Sequence, residues 1–317
     1  MTGRGFLALV EEYLELRRGL GLAADGLQLY LRDFARYADR IGHTGPITVA
    51  LAAGWAAGSP PGDPSRAERR LGSVRVFARH RVAFDPATEI PPAGLFGRIQ
   101  RRRAPHIYTD DEIVALIRAC WNLYPRDGLR PATYAAFFSI LAASGLRLSE
   151  ARRLEHRDVD LIRGLLTVRA GKFRKSRLVP LHPTATEGLA RYAARRDACR
   201  RAARSDHFFR TEQTSALRRY AVEKTFARLR VSLGWTGAGR ARRPRIHDLR
   251  HTMAVRSLLD AYARDCDIDR QVHALSVYLG HAKVTDTYWY LSAVPELMAL
   301  TSRRFEQFAA HEQERMP

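Results

Sequence analysis

Ser144-Gly145-Leu146-Arg147-Leu148-Ser149-Glu150 ends one helix and starts another. Upstream, Pro131 to Ala143 is strongly apolar and reads as a core helix. Gly145 is its natural stop, and Ser149 or a neighbour caps the helix that follows. Arg147 therefore sits at a helix junction, held close to hydrophobic core. Taken alone, it is equally what a surface arginine beside a helix stop looks like.

Further along, in Leu165 to Leu181, β-branched and apolar residues flank a polar turn, the pattern of a β-hairpin. Its tip, Gly171-Lys172-Phe173-Arg174-Lys175-Ser176-Arg177, is basic. A solvated turn explains such a run; so does a hairpin that contacts phosphate. Of 53 Lys plus Arg, only Lys172, Lys175, Lys224 and Lys283 are lysine, and two of these four lie in this tip. Arginine does not surrender its proton at useful pH, whereas a desolvated lysine can. Ile246 to Thr252 opens a helix after Pro244, with His247 and Arg250 three apart on one face. Leu279-Gly280-His281 closes another apolar segment, and Tyr290 follows nine residues later. A tyrosine there can equally be a core residue with a polar tip.

Toward the N-terminus, Thr109 and Glu112 form a capping box ahead of Ile113, Leu116 and Ile117. Before it lies a different kind of sequence. Helical periods run over Phe6 to Arg18, Asp25 to Arg40 and Ile47 to Ala57, and from Ser65 through Leu71, Val74 and Phe77. Gly58 to Pro64 is a Gly/Pro loop, and Pro86, Pro91, Pro92 and the basic run Arg98 to Arg103 form a linker. The expected organisation is an all-α bundle over residues 1–104 and a mainly α domain with a small β-hairpin or sheet over 105–317.

Composition narrows the function. A formal charge of +20, with pI near 10.7, calls for a polyanionic partner. The chain has no run of eighteen apolar residues, no signal-peptide core after Met1-Thr2-Gly3-Arg4, and basic residues spread over both domains. That favours nucleic acid in the cytoplasm over a membrane surface. Cys120, Cys199 and Cys266 are far apart, without metal-ligand spacing, and read as reduced structural thiols.

Singly, each motif is weak. In order, however, Arg147, Lys172, His247, Arg250, His281 and Tyr290 resemble the catalytic residues of tyrosine recombinases, the phage-integrase type. Gly145 to Glu150 is similar to the family's first arginine box, and Gly171 to Leu181 to its hairpin box, with Phe173 where the family favours glycine. His247 and Arg250, with the His-Thr that follows, resemble its His-x-x-Arg box. The N-terminal helices resemble the SAM-like core-binding domain of these enzymes. Two departures stand out. Ala261 to Ser276, with Asp265, Asp267 and Asp269, is longer than the usual connection. The ending Asp286 to Met298 is similar to recombinases of transposable elements that encode several such proteins.

The resemblance implies transesterification without metal, ATP or other cofactor. Tyr290 would attack the scissile phosphate of double-stranded DNA to give a 3′-phosphotyrosyl link, with Lys172 protonating the leaving 5′-oxygen. Arg147 and Arg250 would clamp the phosphate oxygens and His281 would add a hydrogen bond. His247 would accept or orient the tyrosine proton, and Glu150 would support Arg147. It further implies a homo-tetramer on two DNA sites, related recombinases of the same element as partners, and a nucleoid-associated location. Leu297, Met298, Leu300, Phe305 and Phe308 share one arc of a helical wheel, an expected oligomerisation helix. A type IB topoisomerase, which uses nearly the same residues, and a catalytically silent DNA-binding protein are the competing readings.

Overall fold

The structure, a computed structural model, describes residues 5–22, 25–58, 63–97, 104–169, 176–199, 205–237, 243–281 and 283–293. The chain divides into two compact units, Met1–Arg103 and Ala104–Pro317.

In the first unit, four helices are described: α1 (Phe6–Gly19), α2 (Asp25–Arg40), α3 (Val49–Ala57) and α4 (Pro64–Arg81). Thr48 caps α3 by accepting from the Leu51 N–H at 3.1 Å. Asp63 caps α4, which starts one residue before the expected Ser65. Pro64 fits that first turn because its missing N–H would have had no partner there. Phe6, Leu14, Phe34, Trp55, Leu71 and Phe77 meet in one core. Each falls on the apolar face of its helix, which is why the helical period was readable.

The second unit opens with α5 (Asp110–Cys120), whose capping box forms as the sequence suggests. Helix α6 (Leu129–Ser144) is buried nearly all round, so its composition rather than its period identified it. Next come α7 (Leu148–Arg153) and a three-stranded antiparallel sheet in the order β1 (Val159–Asp160), β2 (Leu165–Val168), β3 (Arg177–Pro180). Leu166 faces Val179 and Val168 faces Arg177, so the buried side chains alternate along the strands. Strand β1 has no signature in the sequence, because two residues carry no readable period. Helices α8 (Pro183–Ala198), α9 (Arg219–Ser232), α10 (Ile246–Ala263), α11 (Ile268–Leu279) and α12 (Thr285–Ala293) complete the described unit.

Much of the long Ala261–Ser276 connection proves to be helix. Asp267 caps α11 by accepting from the Arg270 N–H at 3.0 Å, leaving 264–267 as the link from α10. Leu258, Val272, Leu279 and Tyr290 join α10, α11 and α12 in a cluster of their own. No described helix is long and apolar enough to cross a membrane. The tip residues 170–175, Lys172 included, and the tail from 294 lie outside the described residues.

Candidate active site

Two glycines set the geometry. Gly145 ends α6 at φ 60° and Gly280 ends α11 at φ 66°, the left-handed region that favours glycine. At Gly280 there is a second reason: a Cβ would lie 2.9 Å from the Arg177 guanidinium.

A helix leaves its last carbonyls without intrahelical donors and carries partial negative charge there. Three arginines from three other elements satisfy those of α11. Arg177 on β3 donates through Nε to the Tyr278 carbonyl at 2.7 Å. Arg250 on α10 donates to the Leu279 carbonyl at 2.6 Å, and to that of Gly145 at 2.6 Å. Arg147, at the entrance to α7, donates to the Gly280 carbonyl at 2.9 Å. The ends of α6 and α11 are thus tied together by Arg250, which is 2 % exposed.

Glu150 binds two of these guanidiniums. Arg177 donates to both of its carboxylate oxygens at 3.1 and 2.9 Å, and Arg147 donates at 2.7 Å. Glu150 also accepts from the Arg147 backbone N–H at 2.9 Å, so α7 is entered at Arg147 rather than capped by Ser149. Burial pushes the Glu150 carboxyl up, but the bonds from Arg177 and Arg147 outweigh it and hold it down at about 2. Burial, then Arg147, draws Arg250 down to about 10, with Tyr290 and Glu150 opposing; it remains a cation at neutral pH.

Arg147 and His247 share a cavity of about 550 Å³ whose walls also carry Arg152, Arg219, Arg230 and Arg245. His247 is in the first turn of α10, where burial and then Arg250 lower it to about 4, so it is neutral at pH 7. One turn later on the same helix, His251 lies edge-on to His247, with ring centres 4.7 Å apart. His251 Nδ1 is 2.9 Å from the Tyr290 hydroxyl. The Tyr290 ring is 2 % exposed and stacks on His281, whose Nδ1 shares a 2.7 Å hydrogen bond with Thr287. Tyr288 points elsewhere: it is 41 % exposed and donates to Asp269 at 2.8 Å. Among the described residues, no group of three or more His, Cys, Asp or Glu is placed to hold a metal ion.

Of the six residues singled out from sequence, Arg147 and Arg250 meet at the glycine junction, and His247 is one turn from His251. His281 and Tyr290 lie against each other, while Lys172 is outside the described residues. Two further residues take part in the site. Arg177 was visible only as one more charge of the basic tip, and its partners are 27 and 101 residues away. His251 follows His247 at the i+4 spacing, the available signal that both line one helix face.

The phage integrase family model matches residues 107–296. The chain belongs to the phage integrase family. This recombinase is 41% identical, over 95% of its length and 97% of the relative's, to y4rB of Sinorhizobium fredii, which is named as an integrase/recombinase. The tyrosine recombinase XerD of Mycobacterium tuberculosis is 28% identical over 88% of the chain and 90% of its own length. Among solved structures, the Tn1549 transposon integrase in complex with circular intermediate DNA superposes with a TM-score of 0.66 at 15% identity. The match covers 94% of this recombinase and 99% of that chain. The XerH site-specific recombinase bound to a palindromic difH substrate gives 0.61 at 18% identity, over 89% and 79%. These structural likenesses carry the fold alone, mainly helical α+β. Family membership makes the chain a tyrosine-type, site-specific DNA recombinase.

Proposed function

We propose that this recombinase breaks and rejoins double-stranded DNA by attack of Tyr290 Oη on the scissile phosphate, leaving a 3′-phosphotyrosyl link that conserves bond energy for rejoining. The observation that carries this reading is the Tyr290 hydroxyl itself. It is turned inward against an imidazole, within the electrostatic reach of Arg250, while Tyr288 faces outward. Arg147 and Arg250 hold the non-bridging oxygens, where negative charge grows in the transition state and a planar fork of donors suits it. His247, neutral and beside Arg147, and His281 supply hydrogen bonds to the same oxygens. Lys172 protonates the departing 5′-oxygen, the role for which a lysine in an arginine-dominated chain is fitted.

The partner is DNA, a polyanion in keeping with the charge of +20, and the protein acts on the nucleoid in the cytoplasm. The helical bundle of residues 1–104 and the domain of residues 105–317 each contribute to DNA binding. Four copies act on two sites, joined through the apolar stripe Leu297 to Phe308. The setting is a mobile element, the setting of the Tn1549 transposon integrase, with related recombinases of the same element as further partners.

Denaturing electrophoresis after incubation with a nicked site tests the chemistry. Tyr290→Phe is expected to abolish the covalent adduct with DNA binding intact, and Tyr288→Phe to keep it; the reverse pattern overturns the assignment. Lys172→Ala is expected to cripple cleavage of ordinary DNA yet act on a 5′-phosphorothiolate, whose sulfur leaves without protonation. Deletion from Leu297 onward is expected to leave single-site binding and abolish recombination between two sites.

A further inference from the structure

The hydroxyl of an attacking tyrosine must lose its proton, and the group that takes it has to be within hydrogen-bond reach. His251 meets that condition, with Nδ1 2.9 Å from Tyr290 Oη. We infer that His251 is a catalytic residue of this recombinase, the base that removes the proton from Tyr290 during strand cleavage and returns it during rejoining. The inference rests on Tyr290 being the nucleophile.

Tyr290 Oη forms a bond to phosphorus while its O–H bond breaks, and the proton passes to His251 Nδ1. The bond from phosphorus to the 5′-oxygen breaks, and that oxygen leaves with the proton supplied by Lys172. His251 ends as imidazolium and Lys172 as the free amine; rejoining reverses both transfers. The reactive tautomer of His251 carries its hydrogen on Nε2 and presents a lone pair at Nδ1.

The surroundings divide the labour between the two histidines of α10. His247 lies against the arginine-lined cavity, and burial beside Arg250 and Arg147 holds it at about 4. An imidazole that weakly basic is a poor proton acceptor at neutral pH, but a good neutral donor to a phosphate oxygen. His251 is one turn further from the cavity wall formed by Arg147 and Arg245. Around it are His247 on its own helix, and Tyr290 and Trp289 on α12; His281, just past the end of α11, stacks on the Tyr290 ring. Trp289, with ring centres 5.7 Å away, is within the range at which an aromatic ring favours a cation.

The test separates a base from a group that merely holds the hydroxyl. His251→Gln can still hold it by a hydrogen bond but cannot take a proton. His251→Asn serves as the second variant should the first not fold, as judged by melting and by gel shift on the intact site. Full-length protein is mixed with a nicked suicide substrate, and the rate of covalent adduct is measured with tyrosine or 3-fluorotyrosine at position 290. The fluorinated phenol is more acidic and leans less on a base. His251→Gln is expected to slow adduct formation by about 10²- to 10⁴-fold, the range for losing a general base. Fluorotyrosine should recover at least about tenfold of that loss in His251→Gln and none of the loss in His247→Gln. Adduct formation by His251→Gln within about threefold of wild type overturns the inference, and so does a deficit that fluorotyrosine leaves unchanged. If Tyr290→Phe still forms adduct, the nucleophile assignment has failed instead, and the two outcomes are told apart by that control.

Discussion

Around Glu150, three guanidiniums hold one carboxylate and four backbone carbonyls from the ends of two helices. Around Tyr290, the hydroxyl meets an imidazole and the ring lies among aromatic faces. The first region is fixed by charge-assisted bonds in a buried setting, where each is strong and the loss of any partner leaves an orphan. The second is held by packing and weaker, directional contacts. The difference suits two tasks. Groups that stabilise a developing charge gain from being immovable before the reaction starts, while a nucleophile must travel as its bond to phosphorus forms.

The sharpest way to break that contrast is Glu150→Ala. It leaves Arg147 and Arg177 beside each other without their carboxylate, and should cost about 3–5 kcal/mol, the range for removing one member of a buried ion pair. Thermal or urea melting checks this; a loss below about 1 kcal/mol would mean that the junction is not held by charge. Next in size, Arg147→Ala and Arg250→Ala should each slow cleavage by at least roughly 10²-fold, the scale for one preorganised donor to an oxyanion. Gel shifts should weaken far less, since many other arginines meet the backbone. The same complexes should lose affinity with salt by about 0.9 log units per log unit for each phosphate neutralised.

Acid provides a finer probe of the first region. The Glu150 carboxyl is held at about 2 against an ordinary value of 4.5. A depressed carboxyl contributes stability that is fully present above its unfolded value and is lost as pH falls through the folded one. Wild type should therefore lose melting temperature between about pH 4.5 and 2 more steeply than Glu150→Gln does; parallel curves would exclude this carboxyl as a source. The smallest effect belongs to Tyr288→Phe. It removes one exposed bond to Asp269, so melting should shift by less than about 1 kcal/mol and adduct formation should persist. A large loss there would show that the tie between α12 and α11 positions the nucleophile.

The sequence by itself determined the helical periods of both units, the Thr109 capping box, the stops at Gly145 and Gly280, and the order of Arg147, His247, Arg250, His281 and Tyr290. All of these are written in neighbouring residues, within one turn or one strand, where spacing alone carries the physics. The tertiary structure alone decided which carbonyls the arginines satisfy, since Arg250 reaches Gly145 across 105 residues and Arg177 reaches Tyr278 across 101. It likewise decided that His251 faces Tyr290, 39 residues away. Such contacts depend on how helices pack rather than on any local period. A side chain that serves a distant backbone group leaves no mark in its own neighbourhood of sequence.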